Sequence, residues 1–221
     1  MFKKVLINDD HDAILANITE TLAELKVDAI EKSQYCDEAF LKMKRASFDG
    51  VDFDLLITNL SFKPDHRTIN LESGEDLIEK LRGDFPKLPI IVYSMKDQIQ
   101  KVRFLIKKHN INGYVCKDRK GSLELVDAIV ATSKGQLYVS PQVNKALSPK
   151  TQLEIDDFDI ALLNRLAKGL SQEEISCDFK TNGISPNSLS TIEKRLNKLR
   201  SQFKANNVIH LVAITKDLGV I

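Results

Sequence analysis

No run of apolar residues in this 221-residue chain approaches the roughly 20 needed to cross a bilayer, so no membrane span is expected. The start, MFKKVLINDD, turns acidic at Asp9 and Asp10, where a signal peptide would carry its apolar region. A cytoplasmic location with no membrane partner is therefore expected. Cysteine is scarce: Cys36, Cys116 and Cys177 are far apart and odd in number, which suits neither a disulfide framework nor a clustered metal site. Reduced structural thiols remain. Also missing are a phosphate loop, a nucleophile with a paired base and a metal-spaced His/Cys cluster, so a metabolic enzyme is not expected. Nor does one sign of charge dominate, with 32 Lys+Arg against 31 Asp+Glu and a net charge of +1. That balance names no partner; the distribution of the charges does.

What is present is ordinary globular material, 43% hydrophobic and 29% charged, long enough for one domain of usual size and one small one. The first part alternates short apolar runs with amphipathic stretches. Runs fall at 5–8 (VLIN), 55–58 (LLIT), 89–94 (PIIVYS) and 113–116 (GYVC), with a weaker one near 27–30. Helical patterns fill 13–25, 37–45, 75–82, 98–108 and 123–132. Buried β-branched runs separated by helices imply a parallel sheet covered on both faces. Such a sheet binds its ligand at the carboxyl ends of its strands.

The residues at those ends form a set. The first strand ends in Asp9 and Asp10, the third in Asn59, the fourth in Ser94, and Lys117 follows the fifth. Two adjacent carboxylates repel each other, and a hard cation such as Mg²⁺ is the usual remedy. A lysine and a hydroxyl on neighbouring strand ends can hold phosphoryl oxygens. Taken singly, Asp9, Asp10 and Ser94 equally suit helix caps and Lys117 a solvated surface. Their joint placement in order is the specific signal.

On these residues, positions 1–134 resemble a response-regulator receiver domain. VLINDDH, PIIVYSM and GYVCKD are similar to its first, fourth and fifth strand motifs, and Tyr114 falls at its switch aromatic. The resemblance puts the phosphate-accepting aspartate where this chain has Asn59. An acceptor must attack phosphorus with an anionic oxygen, which an amide lacks, so standard phosphotransfer is expected to fail. Losing the third carboxylate leaves Asp9 and Asp10 with weak or absent Mg²⁺ binding and no required cofactor. It also relieves repulsion among the acids. The loop that follows, SFKPDHRTINLESG, is several residues longer than the family's usual Met-Pro turn before Gly74, as in the Rcs-type branch. Its Asp65, His66 and Arg67 lie where a ligand or partner of the pocket would pass, or form a plain solvated loop.

Residues 135–154 read as a connection: KGQLYVSPQV resembles the short extended piece after the last receiver helix, and NKALSPKTQL is linker-like. From 155 to 221 only helices are expected. Asp156 or Asp157 caps the first, with Phe158, Leu162, Leu163 and Leu166 on its apolar face. Ser171 and Glu174 form a capping box for the second. Ser185-Pro186 is expected to open the third, and the last runs from about 206 to 218. Along the third helix Leu189, Ile192, Leu196, Leu199 and Phe203 make one buried stripe. The other face presents Ser190, Thr191, Lys194, Lys198 and Ser201, and residues 185–204 hold five basic residues against one acid, Glu193. That combination suits a major groove and its phosphates.

KGLSQEEIS and SPNSLSTIEKRLNKL are similar to the scaffold and recognition helices of the NarL/LuxR-type DNA-binding domain. The resemblance implies base contacts from Ser190, Thr191 and Lys194, and phosphate contacts from Ser188 and Lys198. The turn between the two helices is longer than in that family.

The expected fold is thus an α/β receiver with a doubly wound five-stranded parallel sheet, plus a small all-α helix-turn-helix domain. The expected function is a transcriptional regulator working without standard aspartyl phosphorylation. Its partners would be double-stranded DNA, a second copy in a homodimer, and a protein or small ligand at the receiver pocket. Two other classes fit the same residues: an adaptor whose pseudo-receiver binds another regulator, or a phosphotransfer protein using another carboxylate such as Asp54 or Asp65.

Overall fold

The structure is a computed structural model that describes residues 2–63, 69–147, 155–218 and 220–221. Asp65, His66, Arg67 and linker positions 148–154 lie outside the described residues. The chain divides into two compact units, the main break falling between Lys145 and Ala146.

In the first unit, β1 (Lys4–Asn8), α1 (Asp12–Glu24), β2 (Ala29–Ser33), α2 (Cys36–Phe48) and β3 (Leu55–Thr58) are followed by α3 (Gly74–Asp84) and β4 (Ile90–Ser94). Then come α4 (Ile99–His109), β5 (Gly113–Cys116), α5 (Gly121–Ser133) and β6 (Tyr138–Val139), and a 3₁₀ turn at Pro141–Ala146 runs up to the break between the units. The strands lie in the order β2-β1-β3-β4-β5-β6 and every pairing is parallel. Five strands were expected and six are found among the described residues, because Tyr138 and Val139 pair with Gly113 and Tyr114 along the otherwise free edge of β5. The expected run at 27–30 also shifts to Ala29–Ser33. This edge strand is half-exposed along most of its length, which is why its apolar signal is weak.

Alternation along the strands divides the side chains between two layers. Val5, Ile7, Leu55, Ile57, Ile91 and Val115 meet Leu15, Ile18 and Leu22 of α1 and Leu125, Ala128 and Ile129 of α5. Their alternates Leu6, Leu56, Ile90 and Val92 are equally buried and face the other layer. Each such side chain contributes about 1.5–3 kcal/mol on leaving water. The central strands are therefore rigid, and their carboxyl ends are held in fixed positions.

The second unit contains α6 (Asp157–Ala167), α7 (Gln172–Thr181), α8 (Leu189–Gln202) and α9 (Val208–Asp217) around Leu162, Leu163, Ile175, Phe179, Ile192, Leu196, Leu199, Phe203 and Leu211. Asp156 and Ser171 cap α6 and α7 through reciprocal capping boxes with Asp159 and Glu174. The expected start of α8 at Ser185-Pro186 is corrected. Ser188 is the cap, its Oγ accepting from Thr191 N, while Asn187 holds the preceding turn by donating to Ile184 O and accepting from Ser176 Oγ.

Candidate functional site

At the carboxyl ends of β1, β3, β4 and β5, the first unit gathers Asp9, Asp10, Asn59, Ser94 and Lys117. Asp9 and Asn59 are buried, Asp10 is half-buried. The Lys117 side chain is 8% exposed and donates from Nζ to Asp9 Oδ2 at 2.5 Å, with the Tyr93 ring 5.5 Å away. The other Asp9 oxygen accepts from His11 N at 3.0 Å. Asp10 Oδ1 faces Asn59 Nδ2 at 3.4 Å and His11 Nδ1 at 3.0 Å, and Asp10 Oδ2 accepts from Lys63 N at 3.2 Å.

Asn59 uses both ends of its amide. Its Oδ1 accepts from Leu60 N at 2.9 Å and its Nδ2 donates to Ser61 O at 2.6 Å. The chain then returns against it: a Cβ at Gly74 would sit 1.9 Å from Asn59 O, so only glycine permits this approach. Gly74 N donates to Leu60 O at 3.1 Å and Ser61 bridges Ser73 across the mouth of the loop.

Ser94 is buried, its Oγ accepting from Lys96 N at 3.3 Å. Tyr114 is fully buried and donates from its hydroxyl to Lys96 O at 2.6 Å. Burial pushes its phenol pKa well above the ordinary value, more than the Ser94 hydrogen bond lowers it. The expected switch aromatic is thus tied to the turn after β4.

Two features were not foreseen from the sequence. Beneath the pocket Asn8 Oδ1 accepts from Ser33 Oγ at 2.8 Å, and Asn8 Nδ2 donates to Thr58 Oγ1 at 3.3 Å and Cys36 Sγ at 3.6 Å. The polar break that Asn8 makes in an apolar strand was the visible signal. Lys63 meets Asp10 through its backbone, and a backbone contact leaves no mark in residue type. Asp9, Asp10 and His11 also place one ligand atom each within 4.8 Å of one another. The set fits the family's Mg²⁺ poorly: the third carboxylate is an amide, and all four oxygens of Asp9 and Asp10 already face donors of this chain. Asp54 lies at the opposite end of β3, its carboxylate accepting from Lys3 N and Lys4 N, so it is not an acceptor in this pocket.

On α8, Ser188, Ser190, Lys194 and Lys198 are exposed and Thr191 half-buried. The hydroxyls at its start are interlinked: Ser188 Oγ lies 2.8 Å from Thr191 Oγ1 and 3.3 Å from Ser190 Oγ. Leu189, expected in the buried stripe, is only half-buried. Arg195, one of the five basic residues, turns inward to the fully buried Asp159, donating from Nη2 at 2.8 Å, and also pairs with Asp156. Arg200 donates to Asn206 O at 2.7 Å.

Comparison with known proteins finds the chain similar to response regulators. No family profile matches the chain. The response regulator GacA of Pseudomonas aeruginosa is 27% identical over 152 residues, 67% of this chain and 63% of the relative, so the match spans under two thirds of that protein. The transcriptional regulatory protein MctR of Rhizobium johnstonii is 30% identical over 135 residues, 57% of this chain and 58% of its own length. Among solved structures, two RcsB dimers bound to two parallel DNAs superpose with a TM-score of 0.62 over 97% of this chain and 98% of that one, at 23% identity. The chain's homologues are response regulators, and its fold is a receiver followed by a NarL/LuxR-type helix-turn-helix unit.

Proposed function

We propose that this chain is a DNA-binding transcriptional regulator whose acceptor position is retired, so that it works without aspartyl phosphorylation. The observation that carries this reading is the Asn59 side chain. It is neutral, both ends of its amide are engaged, and it presents no anionic oxygen to a phosphorus atom. Lys117, which would hold a phosphoryl group, is committed to Asp9.

DNA recognition rests on α8, where Lys194 and Lys198 flank exposed hydroxyls. The related RcsB is seen as dimers on DNA, which supports a homodimer on paired half-sites here. The exposed Ile209 of α9, 81% accessible, is a candidate contact.

Selection of the full-length protein on random-sequence DNA, with and without a small phosphodonor plus Mg²⁺, tests the reading. A paired motif recovered equally in both conditions supports it. A motif recovered only with the donor overturns the reading of Asn59, and no binding at any salt concentration points to an adaptor.

A further inference from the structure

The resemblance to receivers implies a divalent cation at Asp9 and Asp10, and the donors around these acids argue against one. Asp9 Oδ1 has His11 N and Asp9 Oδ2 has the Lys117 ammonium. Asp10 Oδ1 has His11 Nδ1 at 3.0 Å and the Asn59 amide at 3.4 Å, and Asp10 Oδ2 has Lys63 N. A cation at Asp9 would have to compete with the ammonium of Lys117, whose side chain is 8% exposed, and would find the remaining oxygens each already sharing a lone pair with an N–H donor. We propose that Asn59, Lys117 and the Lys63 amide together stand in for the cation: they meet the carboxylate oxygens with donors of the chain itself, Lys117 offsets one of the two acid charges, and the pocket takes up no Mg²⁺. This inference rests on the reading of Asn59 as a retired acceptor.

The amide at 59 is the centre of the device. Its nitrogen faces two acceptors at once, Ser61 O at 2.6 Å and Asp10 Oδ1 at 3.4 Å. It thereby ties the end of β1 to residues 60–63, and Lys63 N closes the circuit by returning to Asp10. A carboxylate at 59 would put a third acceptor between these two, with no proton for either. Such a cluster is relieved by a positive ion, or by a proton taken up on one of the carboxylates. Asn59→Asp therefore changes more than a nucleophile: it makes the stability of the pocket respond to a divalent cation.

Thermal unfolding of the full-length protein in EDTA and in excess Mg²⁺ tests this. The wild-type midpoint should not move. The Asn59→Asp midpoint should lie below wild type in EDTA and rise by about 3 °C or more when Mg²⁺ exceeds its dissociation constant about tenfold. A wild-type midpoint that rises as much as the variant's, or a variant without a Mg²⁺ response, overturns the inference.

Should Asn59→Asp not fold, Asn59→Ala serves, since it removes the donor without adding charge. Amide hydrogen exchange of residues 60–63 should then speed up relative to wild type, again without Mg²⁺ dependence. Equal exchange in the two proteins contradicts the proposed tie. Both readouts are taken without DNA, so a failure of DNA binding would sink the regulator reading and leave this result standing.

Discussion

At the scale of single residues, charge pairing decides which side chains are structural and which are free to act. The Lys117–Asp9 pair is almost wholly removed from water, with side chains 8% and 2% exposed. Removing one partner of such a pair leaves an unpaired buried charge, at a cost of about 3–5 kcal/mol. Lys117→Met should therefore lower the unfolding free energy by that order, as read by urea denaturation. Arg195 and Lys198 form a contrasting pair on one helix. Arg195→Ala should destabilise the second unit by about 2 kcal/mol or more, because Asp159 is left buried without its partner. Lys198→Ala should leave stability within about 0.5 kcal/mol and reduce the salt dependence of DNA binding by about one counterion. Thiol chemistry follows the same logic of burial. Desolvation pushes the Cys36 pKa up from 9.0 to about 12, partly opposed by the hydrogen bond from Asn8. The native state then holds a proton that the unfolded chain releases, so this stability is complete below about pH 9 and lost as pH rises towards 12. Unfolding followed against pH should show the decline on the alkaline side. The exposed Cys177 should alkylate in the native protein well before Cys36 and Cys116.

Elements show how much could be read from sequence and why the remainder could not. The β3 and β5 runs were legible to the residue, since a fully buried parallel strand is a continuous apolar word that stops where a polar side chain reaches the pocket. The same rule led to Asp9, Asp10, Asn59, Ser94 and Lys117. β2 was blurred because an edge strand need not be apolar throughout, and β6 was missed as a strand because two residues carry no period. At α8 the pattern Ser-Pro outweighed a second serine three positions on, and only the hydrogen bond to Thr191 N separates the two. Arg195 was counted among the five basic residues of 185–204 with no partner assigned, because its acids lie at the start of α6 and periodicity within one helix says nothing of a neighbour. The Ser188 cap also shapes any mutational test of DNA contact. Ser188→Ala should cost about 1 kcal/mol of stability and loosen the start of α8, whereas Ser188→Gly should cost only a few tenths. If Ser188 touches phosphate, both variants should weaken DNA binding; if it only caps, Ser188→Gly should bind nearly as wild type.

For the whole molecule, a receiver-like unit with an amide at position 59 is joined to a helical unit whose Lys194 and Lys198 stay exposed. On the proposed function, regulation would fall to protein level, to dimerisation or to a partner at the pocket, rather than to a phosphoryl group. The most direct test is the affinity of the full-length protein for its selected paired site, at one fixed salt concentration, before and after incubation with a small phosphodonor and Mg²⁺. The account predicts no change beyond about twofold, less than 0.5 kcal/mol. A gain of about tenfold or more, accompanied by base-labile phosphate on the protein, would contradict it.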